Sequence, residues 1–376
     1  MVEWKKLGEI CTNLDFKRKP ITSAKRVAGI YPYYGASGIV DYVENYIFDG
    51  DYLLVSEDGA NLLARTSPIA FSINGKNWVN NHAHVLEFKY TTTQKFVEVY
   101  LNMIDLSPWI NGAAQPKLNQ ANLSIIDIPF PPLSEQNRIV GILDTFTDSI
   151  ENLKQQIAQR RKQYEFYRDQ LLDLEGKEGV EMISIKSLFD TRNGYTPSTK
   201  NIEFWDEGII PWFKMEDIRD NGKILNDSNL HITPKAIKGK GLFKANSIIL
   251  ATSATIGEHA LITVEHLSNQ RFTNLFPKDK YIDNVNMKFV YYYMFKIDEW
   301  CKQHTHQGGF ASVDMDGFYK LDFPVPSIEE QNRIVSILDT FEASISNLEA
   351  QLAQRQKQYE YYRNKLLSFG NGDGES

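Results

Sequence analysis

The sequence predicts an α+β protein in which two α/β domains are separated by two long helices that pair as an intramolecular antiparallel coiled coil. Three observations carry this reading. Glu135 to Leu172 aligns without a gap onto Glu330 to Leu367, with 27 of 38 positions identical. Within each copy the apolar residues recur at alternating spacings of four and three, the seam of a heptad helix. Outside the copies, short β-branched and aromatic runs alternate with Gly, Asn and Asp turns. The expected boundaries are a first α/β domain over 1–133, the first helix with its linker over 134–179, a second α/β domain over 180–327, the second helix over 328–369 and a polar tail over 370–376.

In chain order, the first domain opens with a helix-like stretch, Lys6 to Cys11, followed by β-rich runs at Tyr52 to Ser56 and His84 to Phe88 and a helix over Gln94 to Met103. Pro131-Pro132 then stops the chain, and Ser134 is placed to cap a helix. The first seam is Ile139, Leu143, Phe146, Ile150, Leu153, Ile157, Tyr164, Tyr167 and Leu171, broken by Arg160. The second domain repeats the opening as Ser184 to Phe189, with a strand at Ser247 to Ala251 and a helix over Asn286 to Phe295. Pro326 precedes the second helix, where Ser327 and Glu330 form the elements of a capping box. The second seam is Ile334, Leu338, Phe341, Ile345, Leu348, Leu352, Tyr359, Tyr362 and Leu366, broken by Arg355. A charge in a seam is costly when buried and serves to fix register.

The antiparallel sense comes from the flanking rows, because antiparallel helices set one e row against the other. The first offers Lys154 and Arg161, the second Glu342 and Glu349. Such pairs choose orientation more than they stabilise. A seam from 139 to 171 spans about 48 Å at 1.5 Å per residue. Antiparallel pairing then sends the two domains to opposite poles and brings the start of the chain near its end.

Composition narrows the class. The chain has 376 residues, 42% hydrophobic and 24% charged, which is enough to bury more than one core and unlike a disordered chain. A net charge of −7 excludes a generally basic coat protein, although local basic loops can still dominate a cleft. Two cysteines, Cys11 and Cys301, support neither a disulfide scaffold nor a cysteine zinc site. No run is apolar enough to span a bilayer, and the expected location is cytoplasmic.

Several motifs have a familiar order. The first domain carries Tyr31-Pro32-Tyr33-Tyr34-Gly35-Ala36-Ser37-Gly38-Ile39, Glu57-Asp58-Gly59-Ala60, Asn80-Asn81-His82-Ala83-His84-Val85 and Gln115-Pro116-Lys117-Leu118, then Ile128 to Leu133 leading into Glu135-Gln136. The second carries Ile210-Pro211-Trp212-Phe213-Lys214-Met215-Glu216-Asp217-Ile218, Thr255-Ile256-Gly257-Glu258 and Asn269-Gln270-Arg271-Phe272, whereas Gly308-Gly309-Phe310-Ala311-Ser312 lacks the Gln-Pro of its first-domain counterpart. In these features the chain resembles the specificity subunits of type I restriction-modification systems, in which two target-recognition domains alternate with two helical regions. The resemblance implies a non-catalytic subunit that reads a bipartite, asymmetric target in double-stranded DNA, each domain reading one half and the coiled coil setting the gap. It implies two methyltransferase (modification) subunits docked on the helices, and restriction subunits acting as nuclease and translocase. S-adenosylmethionine, ATP and Mg would then belong to those partners, with no cofactor in this chain and no membrane partner.

The expected DNA-facing residues are the cations Lys17, Arg18 and Lys19 with Lys25 and Arg26 in the first domain, and Lys235, Lys238, Lys240 and Lys244 in the second. Taken singly, either cluster is as readily a solvated face. Base reading needs forked donors and amides, for which Tyr33, Tyr34, Ser37, Asn80, Asn81 and His82, and Arg192, Asn193, Lys214 and Arg271, are the candidates. His82 with His84, and His304 with His306, have a spacing that would put each pair on one face of a strand, and a structural or DNA-facing role is preferred to a metal site. No catalytic motif is complete: Asp127-Ile128-Pro129-Phe130 departs from the Asp/Asn-Pro-Pro-aromatic pattern of adenine methyltransferases at Ile128, and no Gly-Lys-Ser/Thr loop is present. Two alternatives stay open, a coiled-coil scaffold with two protein-binding heads and a self-sufficient methyltransferase.

Overall fold

The computed structural model describes residues 2–112, 115–306 and 311–369; the polar tail over 370–376 lies outside the described residues. The chain divides into two compact units, residues 1–155 with 349–376, and residues 156–348. Each long helix is therefore shared between them, and neither forms a compact unit of its own.

In the first unit β1 (Glu3–Lys6) begins the domain, followed by β2 (Thr12–Asn13), β3 (Ala28–Gly35), β4 (Gly38–Val43), β5 (Phe48–Asp49), β6 (Tyr52–Ser56), β7 (Ala70–Ile73), β8 (Lys76–Val79) and β9 (Ala83–Glu87). The helix α1 (Thr91–Met103) and β10 (Asp127–Phe130) complete it, and α2 (Leu133–Leu171) leaves it. One sheet runs β2-β9-β6-β7, a second runs β4-β3-β8-β5, and β1 pairs antiparallel with β10, Trp4 opposite Pro129. β6 is buried at every position, as its unbroken apolar run requires of a central strand.

The second unit repeats the plan. β11 (Glu181–Ser184), β12 (Phe189–Asn193), β13 (Ile210–Phe213), β14 (Ile224–Leu225), β15 (His231–Ile232), β16 (Ser247–Ala251), β17 (His259–Ile262), β18 (Leu267–Ser268) and β19 (Phe272–Pro277) precede α3 (Met287–Gln303). β20 (Thr305–His306), β21 (Ser312–Val313), β22 (Asp322–Val325) and α4 (Ile328–Leu367) follow. The sheet β12-β19-β16-β17-β14 matches the first unit's β2-β9-β6-β7 with one strand added, and β11 pairs with β22 as β1 does with β10. Asn286 caps α3, its Oδ1 accepting from Lys288 N–H at 2.8 Å.

The coiled coil is antiparallel within each unit. In the first, Ile139 and Leu143 of α2 share a core with Leu7, Phe96 and Leu367, and Phe146 stacks on Tyr362 at 5.3 Å. In the second, Ile334 and Leu338 of α4 share a core with Phe289, Phe323 and Leu172, and Tyr167 stacks on Phe341 at 5.5 Å. This continuity of seam and domain core is why the compact units cut across the helices. The seam arginines are reciprocal: Arg160 lies 5.9 Å over Phe341, and Arg355 lies 5.6 Å over Phe146, each satisfied by an aromatic face.

Two details depart from the expectation. Ser134 lies inside α2, which already starts at Leu133; the end is tied instead by Gln136, whose Nε2 donates to Pro131 O at 2.8 Å while its Oε1 accepts from the Thr93 hydroxyl. Gln331 repeats this against Pro326 O at 2.8 Å, and Ser327 does cap α4, its Oγ accepting from Glu330 N–H at 3.3 Å. Glu342, expected to face cations, instead accepts from the hydroxyls of Tyr164 at 3.0 Å and Tyr292 at 3.1 Å, and Lys154 sits 3.9 Å from Glu151 of its own helix. Burial raises the Glu342 carboxyl above the usual range, with Asp339 adding to the shift and the two hydroxyls opposing it.

Candidate nucleic-acid interface

The first domain's scattered motifs converge because strand pairing brings their loops together. Asn80 N–H donates to Tyr34 O, Glu57 N–H to His82 O, Leu118 N–H to Glu57 O and Gly59 N–H to Pro116 O. The Ser56 hydroxyl closes the cluster on Ala36 O.

At the centre is a buried ionic hub. His84 donates through Nε2 to Leu118 O at 2.7 Å and places Nδ1 2.6 Å from Asp15. Arg18 reaches Glu57 at 2.7 Å and Asp15 at 3.2 Å, and Lys117 reaches Glu57 at 3.1 Å. Burial pushes the carboxyls of Asp15 and Glu57 up, but His84, Arg18, Lys117 and the Val85 N–H outweigh it and hold both below their ordinary values. Asp15, Glu57 and His84 have the donor types of a metal site. Their charge is already balanced by Arg18 and Lys117, so the hub reads as an internal cross-link.

The second domain supports that reading, because the same place is neutral there. The Thr273 hydroxyl donates to Asn193 Oδ1 at 2.9 Å and lies 3.0 Å from the Thr252 hydroxyl, while Val313 N–H donates to Thr252 O as Leu118 does to Glu57. Ser312 bridges Ser253 as Lys117 bridges Asp58, so the Gln-Pro-Lys-Leu segment has a structural counterpart despite its missing motif. Of that counterpart, Gly308 to Phe310 lie outside the described residues.

What the two domains share on their surface is one turn. Asn80-Asn81-His82 and Asn269-Gln270-Arg271 follow strands in the same way, with Asn80 N–H on Tyr34 O and Asn269 N–H on Phe213 O. Each leading asparagine folds back, its Oδ1 accepting from the N–H two residues on, at 2.8 Å from His82 and 2.9 Å from Arg271. The asparagine side chain is thereby spent on the turn, and the next two residues are exposed: Asn81 and His82 in one domain, Gln270 and Arg271 in the other. An amide beside a second polar donor is the kind of pair that reads base edges. Gln270 was absent from the sequence candidates, although its place in the same motif as Arg271 marked it.

The remaining candidates separate by burial. Lys17, Lys19, Ser37, Asn193, Lys238 and Lys240 are exposed. Tyr33 is 1% exposed and Asn80 7%, so both are framework residues rather than readers. Arg18 belongs to the hub. Tyr34 is half-buried against Phe71, Arg192 lies 4.0 Å over Phe243, and Lys214 is 3.9 Å from Glu216. His82 and His84 do not share a face: His82 precedes β9 and sits 2.9 Å from Asp58, while His84 is buried. His304 bonds Trp300 O at 2.9 Å, and His306 lies 3.5 Å from Asp314. Among the described residues no helix is long and apolar enough to cross a membrane.

The chain thus repeats one domain and one long helix, and in each domain an exposed turn carries an amide beside a second polar side chain. The family model described as "Type I restriction modification DNA specificity domain" matches residues 1–160 and 177–356. The chain belongs to this type I restriction-modification specificity family. It is 50% identical over 220 residues to the Escherichia coli type I restriction enzyme EcoprrI specificity subunit, an alignment spanning 56% of this chain and 54% of the relative. It is 34% identical over 384 residues to a Haemophilus influenzae chain named as a type I restriction enzyme specificity subunit, spanning 98% and 96%. In fold it is similar to the crystal structure of a type I system S subunit from M. genitalium, with TM-score 0.60 at 14% identity over 99% of this chain and 97% of that one. A structure titled for complex assembly and conformational transition of the type I R-M system gives TM-score 0.62 at 16% identity, over 97% of each.

Proposed function

We propose that this chain is the non-catalytic DNA-recognition subunit of a type I restriction-modification complex, and that each head reads one half of a bipartite, asymmetric duplex target. The observation that carries this is the paired turn: the same backbone device displays Asn81 and His82 in one head and Gln270 and Arg271 in the other. One scaffold with two different displays is what two unlike half-sites require. The coiled coil sets the gap between them. Its helices also dock two methyltransferase subunits, a role supported by aromatics left outside on both repeats, Phe166 at 64% exposure and its repeat equivalent Tyr361 at 60%.

S-adenosylmethionine, ATP and Mg belong in this reading to the modification and restriction subunits, which supply the chemistry. Replacing residues 1–133 with the corresponding head of another family member tests it. The methylated sequence should change in one half-site only; a change in both halves refutes the modular reading.

A further inference from the structure

Each head carries a lysine-bearing loop pinned by the same device. In the first, the Tyr33 hydroxyl accepts from Ile21 N–H at 2.9 Å and donates to Ile21 O at 3.3 Å. The Arg26 guanidinium lies 4.4 Å over the Tyr33 ring and also donates to Ile21 O at 3.1 Å, while Trp78 Nε1 holds Lys19 O at 2.6 Å. In the second, the Tyr195 hydroxyl accepts from Lys238 N–H at 2.8 Å and donates to Ala236 O at 3.0 Å. Arg192 donates to Gly241 O at 2.8 Å from its stack on Phe243. Gly239 and Gly241, at φ 61° and 79°, turn the loop outward.

In both loops the aromatic hydroxyl and the guanidinium hold main-chain groups, Arg26 also pairing with Asp41 at 3.2 Å, while Lys17 and Lys19, and Lys238 and Lys240, are exposed and form no ion pair with a described residue. A backbone held this firmly with free ammonium groups outward suits a ligand of regularly spaced anions that needs no base reading.

We infer that these two loops are clamps for the duplex phosphate backbone, Lys17 and Lys19 contacting it in one head and Lys238 and Lys240 in the other. Tyr33, Arg26, Tyr195 and Arg192 are positioning residues that shape the clamps without touching DNA. This rests on the reading of the chain as a duplex-binding protein and assigns its sequence-independent contacts.

Binding of the full-length chain to a mixed-sequence duplex, measured by fluorescence anisotropy over a range of salt concentrations, tests the assignment without knowledge of the target. K17Q/K19Q and K238Q/K240Q should each lower the slope of log affinity against log salt by about 0.9 per lysine, or about 1.8 per pair. The matched control K162Q/K357Q removes two exposed helix lysines and should leave the slope unchanged. Y195F should weaken binding about two- to tenfold at a temperature where the chain is still folded, and should have no further effect in the K238Q/K240Q background, because it acts through those lysines. Unchanged slopes in both clamp pairs, or an equal drop in the control, would overturn the clamps. Unchanged affinity in Y195F would overturn the positioning role. A wild-type chain without salt-dependent duplex binding would overturn the duplex-binding reading itself, an outcome distinct from wild-type binding that the clamp variants leave intact.

Discussion

Arg18 shows how one side chain can be spoken for by the fold. It reads in sequence as the middle of a basic run, Lys17-Arg18-Lys19, yet it is drawn inward by Asp15 and Glu57 while its neighbours stay out. Removing one partner of a buried ion pair strands the other charge and costs about 3–5 kcal/mol. Arg18→Met should therefore destabilise the first unit by that order at pH 7, measured by denaturant unfolding. The penalty should be acid-sensitive. Asp15 and Glu57 titrate in the folded state below their ordinary values of 3.8 and 4.5, so their stabilising contribution is complete above those values and is lost as pH falls through the lower folded-state ones. The difference between wild type and Arg18→Met should shrink below about pH 4, where protonated carboxyls no longer need the guanidinium. A difference independent of pH would count against the hub.

Glu342 illustrates the opposite sign at the scale of an element. The heptad pattern located it on α4 but could not say that α3 would cover it, so the cations expected opposite were replaced by the hydroxyls of Tyr164 and Tyr292. Its folded-state carboxyl is raised, which makes its ionised form destabilising at neutral pH and makes stability rise as pH falls through that raised value toward the ordinary 4.5. Glu342→Gln keeps an acceptor for a hydroxyl and removes the charge. The second unit should be at least as stable as wild type at pH 7, with that pH term gone; a marked loss at pH 7 would show that the carboxylate charge is needed. Gln136→Leu, by contrast, should cost about 1–3 kcal/mol in thermal or denaturant unfolding, because it strands a buried carbonyl and hydroxyl.

The helices were the most legible part of the sequence. Heptad spacing is set by local geometry, so both seams and the aromatic positions were readable, as were the strands Tyr52–Ser56 and Ser247–Ala251, whereas the antiparallel sense was drawn from flanking charge rows in which Glu342 meets hydroxyls instead of cations. The binding surfaces were less so. Whether Tyr33 or Asn81 faces out depends on which strands pair, and β3 lies parallel to β8 across more than forty residues of chain, a contact that no local pattern encodes. Charge patterning found the basic loops but could not tell the cation held inside from those held outside.

At the scale of the whole molecule, the account makes the duplicated helices a spacer between two unlike readers. Inserting one heptad into both α2 and α4 lengthens the pair by about 10 Å, close to three base pairs of duplex. The permitted gap should widen accordingly, or recognition should be abolished; an unchanged gap would remove the helices from the role of ruler.

The central claim is the split target, and methylome sequencing of a host with and without this chain addresses it most directly. The account predicts methylation that depends on the chain and falls within a sequence of two specified tracts separated by a fixed number of unspecified bases. A single continuous specified tract would contradict it.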